Sequence, residues 1–209
     1  MKILTFNFPA LMGVNCYLVY DEETKEGVVV DAGRGFKEIS AKAEESGIKI
    51  NKVLLTHGHF DHVMDAGKWR AAGVKIYIHS LDLALMESGG APDGFFGGAP
   101  RFKSDADGIL ADGDEINVGN VKIKVIHTPG HTPGSVCYLT DGALFSGDTL
   151  FCGSFGRVDF PGGSASEMRD SLKKLFALPD KESVAVYPGH EEQTNLGYEA
   201  LHNPGNYCL

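Results

Sequence analysis

Four side chains able to bind a divalent cation fall within six residues of this 209-residue chain: His57, His59, Asp61 and His62, in the tract Thr56-His57-Gly58-His59-Phe60-Asp61-His62. With eight histidines and 28 acidic residues in the chain, a His-x-His-x-Asp-His pattern would arise by chance in roughly one sequence of this length in a thousand. Independent surface polar residues are a poor account of such density. Imidazole and carboxylate donors together suit borderline divalent ions, zinc first, with iron or manganese compatible.

Three later fragments bring further ligand-type residues to the ends of apolar segments. Val121–Ile126 runs into His127-Thr128-Pro129-Gly130-His131, Ala143–Ser146 ends in Gly147-Asp148, and Val184–Tyr187 ends in Pro188-Gly189-His190. A glycine or proline turn after a strand can present a side chain from a rigid edge into a cleft. His131, Asp148 and His190 therefore join the first tract as candidate ligands. Asp61 also has a plainer reading as the N-cap of the helix that follows. His79, His127 and His202 are expected to make structural hydrogen bonds instead.

The elements that must position these residues are short. Lys2–Phe6, Cys16–Tyr20 and Gly27–Asp31 are rich in β-branched and aromatic residues and read as a strand meander. Phe36–Ser46 has helical spacing and stops at Gly47. Lys52–Thr56 is a strand, Asp61–Ala72 a helix and Val74–Ile78 a strand. The glycine- and proline-rich stretch 88–107 reads as a mobile loop, with Phe95 and Phe96 either covering a substrate or pinning the loop to the core. Glu115–Val118 pairs with Val121–Ile126, and Ser135–Leu139 with Ala143–Ser146, as hairpins. Glu167–Leu175 is a helix, Val184–Tyr187 a strand and Leu196–Leu201 a short helix. Each half supplies strands and then helices, so the expected class is α+β. Two sheets lie face to face with helices outside, in a single domain spanning 1–209.

Composition narrows the partners. The net charge is −9 and no basic cluster exceeds Lys173-Lys174, which argues against a nucleic-acid partner. The N-terminal residues lack a signal-peptide pattern, and no apolar run is long enough for a membrane span. Cys16, Cys137, Cys152 and Cys208 are scattered, as reduced thiols of a cytoplasmic protein would be. Nothing in the sequence specifies an oligomeric state.

With His57-x-His59-x-Asp61-His62, His131, Asp148 and His190 in this order, the chain resembles the metallo-β-lactamase superfamily over nearly its full length. The resemblance implies a four-layer αβ/βα sandwich of two mixed sheets. It implies that His57, His59 and His131 hold one metal ion, that Asp61, His62 and His190 hold a second, and that Asp148 bridges them. Asp31, in Val30-Asp31-Ala32-Gly33, matches a family turn that supports the site from behind the ligands; a plain turn residue is the other reading. Two ions sharing Asp148 would hold a hydroxide able to attack a carbonyl or phosphorus, and Asp61 and Asp148 are the expected catalytic carboxylates.

Gly147–Phe160 and Pro188–Thr194 are similar to the glyoxalase II-like branch, whose enzymes hydrolyse S-lactoylglutathione. The implied substrate is a small thioester, a glutathione conjugate or a related acyl thiol. Arg157 falls where that branch places a cation toward glutathione, or else it packs on Phe155 or Phe160. Asp159 and Glu192 stand where those enzymes use tyrosines, and no basic C-terminal helical region follows Leu201-His202-Asn203-Pro204. The chain looks more like the short bacterial hydrolases of the branch. Persulfide dioxygenases are the rival, with one iron on His57, His131 and Asp148. A phosphodiesterase or nuclease of the superfamily and a non-catalytic metal-binding module rank lower.

Overall fold

Alternation along the strands decides which side chains enter which layer. In β2 (Val14–Tyr20), Tyr17 and Val19 face one apolar layer while Cys16, Leu18 and Tyr20 face another. A strand buried on both faces belongs inside a stack of layers, and the computed structural model shows that stack. Residues 1–90 and 105–208 are described.

The first sheet has the order β1 (Lys2–Phe8), β2, β3 (Glu26–Val30), β4 (Lys49–Leu54), β5 (Lys75–His79), β6 (Gly108–Leu110). It is antiparallel from β1 to β3 and parallel from β3 to β6. In the second sheet, β7 (Glu115–Val118), β8 (Val121–His127), β9 (Val136–Thr140) and β10 (Ala143–Gly147) are antiparallel neighbours. β10 then pairs in parallel with β13 (Ala185–Pro188), which is edged by β14 (Thr194–Asn195). A small hairpin of β11 (Leu150–Phe151) and β12 (Ser154–Phe155) stands apart from both.

Three apolar layers hold the stack together. Between the sheets, Tyr17, Val28, Val30 and Leu54 meet Ile123, Val125, Tyr138 and Phe145. Outside the first sheet lie α1 (Phe36–Glu45), α2 (Phe60–Val63), α3 (Ala66–Ala71) and α4 (Leu83–Glu87), which contribute Ile39, Val63, Trp69 and Met86. Outside the second sheet, α5 (Ala165–Phe176) and α6 (Leu196–His202) contribute Met168, Leu172, Leu175 and Leu196. Ser164 caps α5 by accepting from Glu167 N at 3.3 Å, and Met168, Leu172 and Leu175 then fall on one helical face. The four-layer sandwich expected from the sequence is the fold observed.

The expected helix Asp61–Ala72 is broken in two. Asp65 N donates to Ala32 O at 2.7 Å, and His62 O accepts from Ala32 N at 2.8 Å. The turn after β3 has captured groups that a continuous helix would pair internally. The Asp65 carboxylate meanwhile takes Phe36 N and Lys68 Nζ. The sequence reading also passed over α4, β6, the β11–β12 hairpin, β14 and α7 (Gly205–Cys208). Phe95 and Phe96 lie outside the described residues.

No helix among the described residues is long and apolar enough to cross a membrane. Cys16 and Cys137 lie fully inside the stack, and burial pushes their thiols up to about 12 and about 11. At about pH 8, iodoacetamide should therefore label Cys152 and Cys208 in the native protein and spare the other two until it is unfolded. Intact-mass analysis counts the adducts; four adducts without denaturant would contradict this packing.

Candidate metal centre

Strand ends from both sheets deliver the candidate ligands to one place. His57 and His59 lie between β4 and α2, while Asp61 and His62 sit in the first turn of α2. His131 follows β8, Asp148 follows β10 and His190 follows β13. The cap of α2 is His59, without a side-chain cap bond, so Asp61 does not act as the N-cap. Its carboxylate turns to the histidines: Oδ2 is 3.2 Å from His190 Nε2 and 3.8 Å from His62 Nε2.

All seven residues come together in two groups with a link. His57, His59 and His131 present donor atoms within 4.8 Å of one another, and Asp61, His62 and His190 do the same. His57, His62 and Asp148 form a third set that joins them. Asp148 Oδ1 is 3.3 Å from His62 Nε2, and its Oδ2 is 3.5 Å from His131 Nε2 and 3.6 Å from His190 Nε2. One carboxylate thus reaches both groups.

Hydrogen bonds behind the rings fix which nitrogen faces inward. His62 Nδ1 donates to Asp31 Oδ2 at 2.8 Å, His131 Nδ1 to Arg157 O at 2.8 Å, and His190 Nδ1 to Met12 O at 3.2 Å. Each ring then turns its Nε2 into the site. Asp31 is buried at φ +60°, and it also accepts from Thr56 N and Oγ1. Close packing adds rigidity. A Cβ on Gly189 would lie 2.3 Å from Asp148 Oδ1, and one on Gly33 would collide with Asp61 O.

The donor set fits divalent ions. His57 Nε2 and Asp148 Oδ1 are buried without a hydrogen-bond partner, the 3.3 Å approach of His62 to that oxygen lacking bonding geometry. Such orphaned groups are costly unless something else satisfies them. His62 Nε2 and His190 Nε2 also face each other at 3.3 Å. Two lone pairs at that distance repel unless a cation or a proton lies between.

Electrostatics follow the same division. Burial holds His57 well below the usual imidazole range and lowers His59 to about 4, with neighbouring histidines adding to the effect. Burial also disfavours the His62 imidazolium, but Asp31, Asp148 and Asp61 outweigh it and raise the group well above its ordinary value. His190 moves upward as well, against burial, through Asp61 and Asp148. Burial opposes the Asp61 and Asp148 carboxylates, yet the histidines, His62 foremost, hold both below the ordinary range.

The group opens on a cleft of about 1180 Å³, with Asp61, Asp148 and His190 on its floor and Phe151, Phe155 and Phe160 among its walls. Arg157 lines it too, its guanidinium 3.7 Å above the Phe160 ring and paired through two 2.7 Å bonds with Asp159. The packing on Phe160 and the position at the cleft are therefore both present. His79 stacks on His127 at 4.3 Å, and His202 lies against Tyr198.

One carboxylate escaped the sequence reading. Asp82 is fully buried, and its oxygens accept from Gly58 N at 2.8 Å, Thr132 Oγ1 at 2.7 Å and Gly134 N at 2.7 Å. It bolts the loop carrying His57 and His59 to the loop carrying His131. An acid between a strand and a helix looks like an ordinary cap, so no local signal sets it apart.

Residues 10–190 match the Metallo-beta-lactamase superfamily. The Hydroxyacylglutathione hydrolase GloC of Haemophilus influenzae is 32% identical over 201 residues, covering 91% of each chain. Among solved structures, the BLEG-1 B3 metallo-beta-lactamase aligns over 97% of this chain and 98% of its own, at TM-score 0.88 and 30% identity. TTHA1623 in a di-iron-bound form covers 96% and 98%, at 0.80 and 33%. ETHE1 from Myxococcus xanthus covers 98% and 84%, at 0.81 and 30%. The chain belongs to the metallo-β-lactamase superfamily, a metallo-hydrolase family for which the His/Asp groups are metal-binding candidates.

If zinc enters both groups, two outcomes are expected of titrations of the metal-free protein. The carboxylates around His62 and His190 favour their protonated rings, so an ion entering that group must displace protons, whereas burial already disfavours the protonated rings of His57 and His59. Lowering the pH from about 7.5 to about 6 should therefore weaken the Asp61–His62–His190 group far more than the His57–His59–His131 group. Calorimetry in buffers of different ionisation enthalpy reads the released protons; equal pH slopes for both sites would contradict the assignment. Asp82→Asn should weaken zinc at the His57–His59–His131 group by about tenfold while leaving the far-UV dichroism native.

Proposed function

We propose that the chain is a metal-dependent hydrolase of small acyl thioesters, holding two divalent ions, zinc by preference, on His57, His59 and His131 and on Asp61, His62 and His190, with Asp148 shared. The observation that carries this is the pair of three-residue groups meeting at one carboxylate on the floor of a cleft with aromatic walls. The H. influenzae relative supports the thioester class, and the di-iron-bound neighbour keeps iron as an alternative occupant.

Bound divalent ions would bring a coordinated water toward neutrality in pKa and polarise the scissile carbonyl. The residues of the chain supply the rest. Asp61 and Asp148 stay anionic in a buried setting, so either can accept a hydrogen bond from the attacking water and hold its lone pair toward the carbonyl carbon. The aromatic walls accept an acyl group and keep bulk water from the reacting bond. Water adds across the thioester to give a carboxylic acid and a thiol. Four free cysteines suit a reducing compartment, and a cytoplasmic setting is part of this reading.

A single-iron persulfide dioxygenase is the second reading, favoured by the ETHE1 likeness over 98% of the chain. The complete Asp61–His62–His190 group favours the hydrolase, because one iron on His57, His131 and Asp148 leaves that group without a role.

A panel of acyl thioesters, lactoylglutathione included, assayed alongside metal analysis of the same sample separates the two. The hydrolase should show thiol release and about two ions per chain. One iron per chain with oxygen uptake on glutathione persulfide would give the site to the dioxygenase. Asp61→Ala and Asp148→Ala should each fold and lose at least about a hundredfold in kcat/KM. Full activity in either variant would refute the assigned roles.

A further inference from the structure

The β11–β12 hairpin lines the cleft without belonging to either sheet. Its strands contribute two residues each, which pair with one another. A ladder that short is marginal unless its surroundings fix it. Phe151, Ser154 and Phe155 nonetheless stand in the cleft lining, and the Phe151 ring meets His190 edge-on at 6.1 Å. The turn of the hairpin is held from α6. Gly153, at φ +65°, donates its N–H to the Glu199 carboxylate at 3.1 Å. Ser154 O accepts from Asn203 Nδ2 at 2.9 Å, and the same amide donates to Glu199 Oε2 at 2.7 Å. A third donor comes from the chain beyond His190: Thr194 Oγ1 donates to Glu199 Oε1 at 2.7 Å. His190 and Gln193, in the stretch just before it, line the cleft as well. Two parts of the lining therefore meet at one fully buried carboxylate.

We propose that Glu199 is a positioning residue for the cleft: by gathering Gly153 N, Asn203 and Thr194 it fixes where the wall of Phe151 and Phe155 stands relative to His190, and so how tightly an acyl group is held. The inference rests on the thioesterase reading for the nature of the ligand, and on these hydrogen bonds for the wall. The three donors are neutral and lie on three segments, so the carboxylate serves as a shared acceptor. An apolar side chain of similar size would strand all three donors. The hairpin turn, exposed at Gly153, is the part that can move to reach water. A glutamine would not strand them. Its oxygen can serve Gly153 N and Asn203 Nδ2 while its amide faces Thr194 Oγ1, a hydroxyl that accepts as well as donates.

The test compares Glu199→Leu and Glu199→Gln with the wild type. Amide hydrogen exchange in Glu199→Leu should quicken by about tenfold across residues 150–156 and stay unchanged across 53–62 and 121–131. Calorimetry of the zinc-loaded proteins with S-hexylglutathione, a thioether that resists hydrolysis, should show binding weakened by about tenfold. On the thioesters that the wild type hydrolyses, KM should rise by a similar factor while kcat stays within about threefold, and Glu199→Gln should restore both exchange and KM. If Glu199 merely seats α6, exchange quickens across 194–203 while the hairpin and KM keep their wild-type values, and the positioning role is overturned. A fall in kcat at unchanged KM overturns it too. Should Glu199→Leu fail to fold, Asn203→Ala removes the bond to Ser154 O, keeps the one at Gly153 N, and is read by the same measures with a smaller shift. A loosened hairpin and weaker thioether binding, with no thioester turned over by the wild type, would keep the role of Glu199 and sink the hydrolase reading instead.

Discussion

Two backbone hydrogen bonds between the sheets are the constraint on which the site depends. Val136 N, opening a strand of the second sheet, donates to Thr56 O at 2.8 Å, just before His57. Asn15 N, from the first sheet, donates to Gly189 O at 2.7 Å, just before His190. Side chains reinforce both seams: Tyr138 donates its hydroxyl to Leu55 O at 2.6 Å, and Asn15 Nδ2 to Pro188 O at 3.1 Å. Apolar packing alone would allow the sheets to slide. Directional bonds at buried positions do not, because breaking one leaves a group unsatisfied at about 1–3 kcal/mol. Ligands from different sheets can then meet within a few ångströms.

That convergence gathers like charges as well as unlike ones, and the structure answers it with carboxylates in graded positions. Asp82 accepts from two amides and a hydroxyl of the loops that carry the ligands. Asp31 faces His62 from behind, and Asp148 faces it from the front. A histidine flanked in this way holds a fixed orientation. Burying the group without these acids would carry a large desolvation cost and leave the rings free to turn away.

Much of this was legible in the sequence because the signals were local. The His57–His62 tract, the turns before His131, Asp148 and His190, and the alternation in the strands each lie within a few consecutive residues. What stayed hidden depends on contacts between distant segments. The break at Asp65 comes from Ala32, in a turn far back in the chain, and nothing within 61–72 announces it. Glu199 looks like a surface acid of a short helix, yet it is fully buried, accepting from Gly153 N, Thr194 Oγ1 and Asn203 Nδ2. The short strands β6 and β14 pair at sheet edges, where two or three residues carry too little pattern to read.

Residue 157 shows how the scaffold separates fixed chemistry from adjustable recognition. Its carbonyl accepts the Nδ1 proton of His131 at 2.8 Å and so orients a ring of the floor. Its guanidinium sits at the rim with Asp159 and Phe160. Gly156, immediately before it, lets this segment pass so close that a Cβ there would collide with Asp148 O. The backbone of the loop therefore serves the floor, while the side chains it carries serve the mouth. Loops of this kind can change what the cleft admits while the groups beneath keep their geometry, which is the freedom a rigid pair of sheets gives to the segments joining its strands.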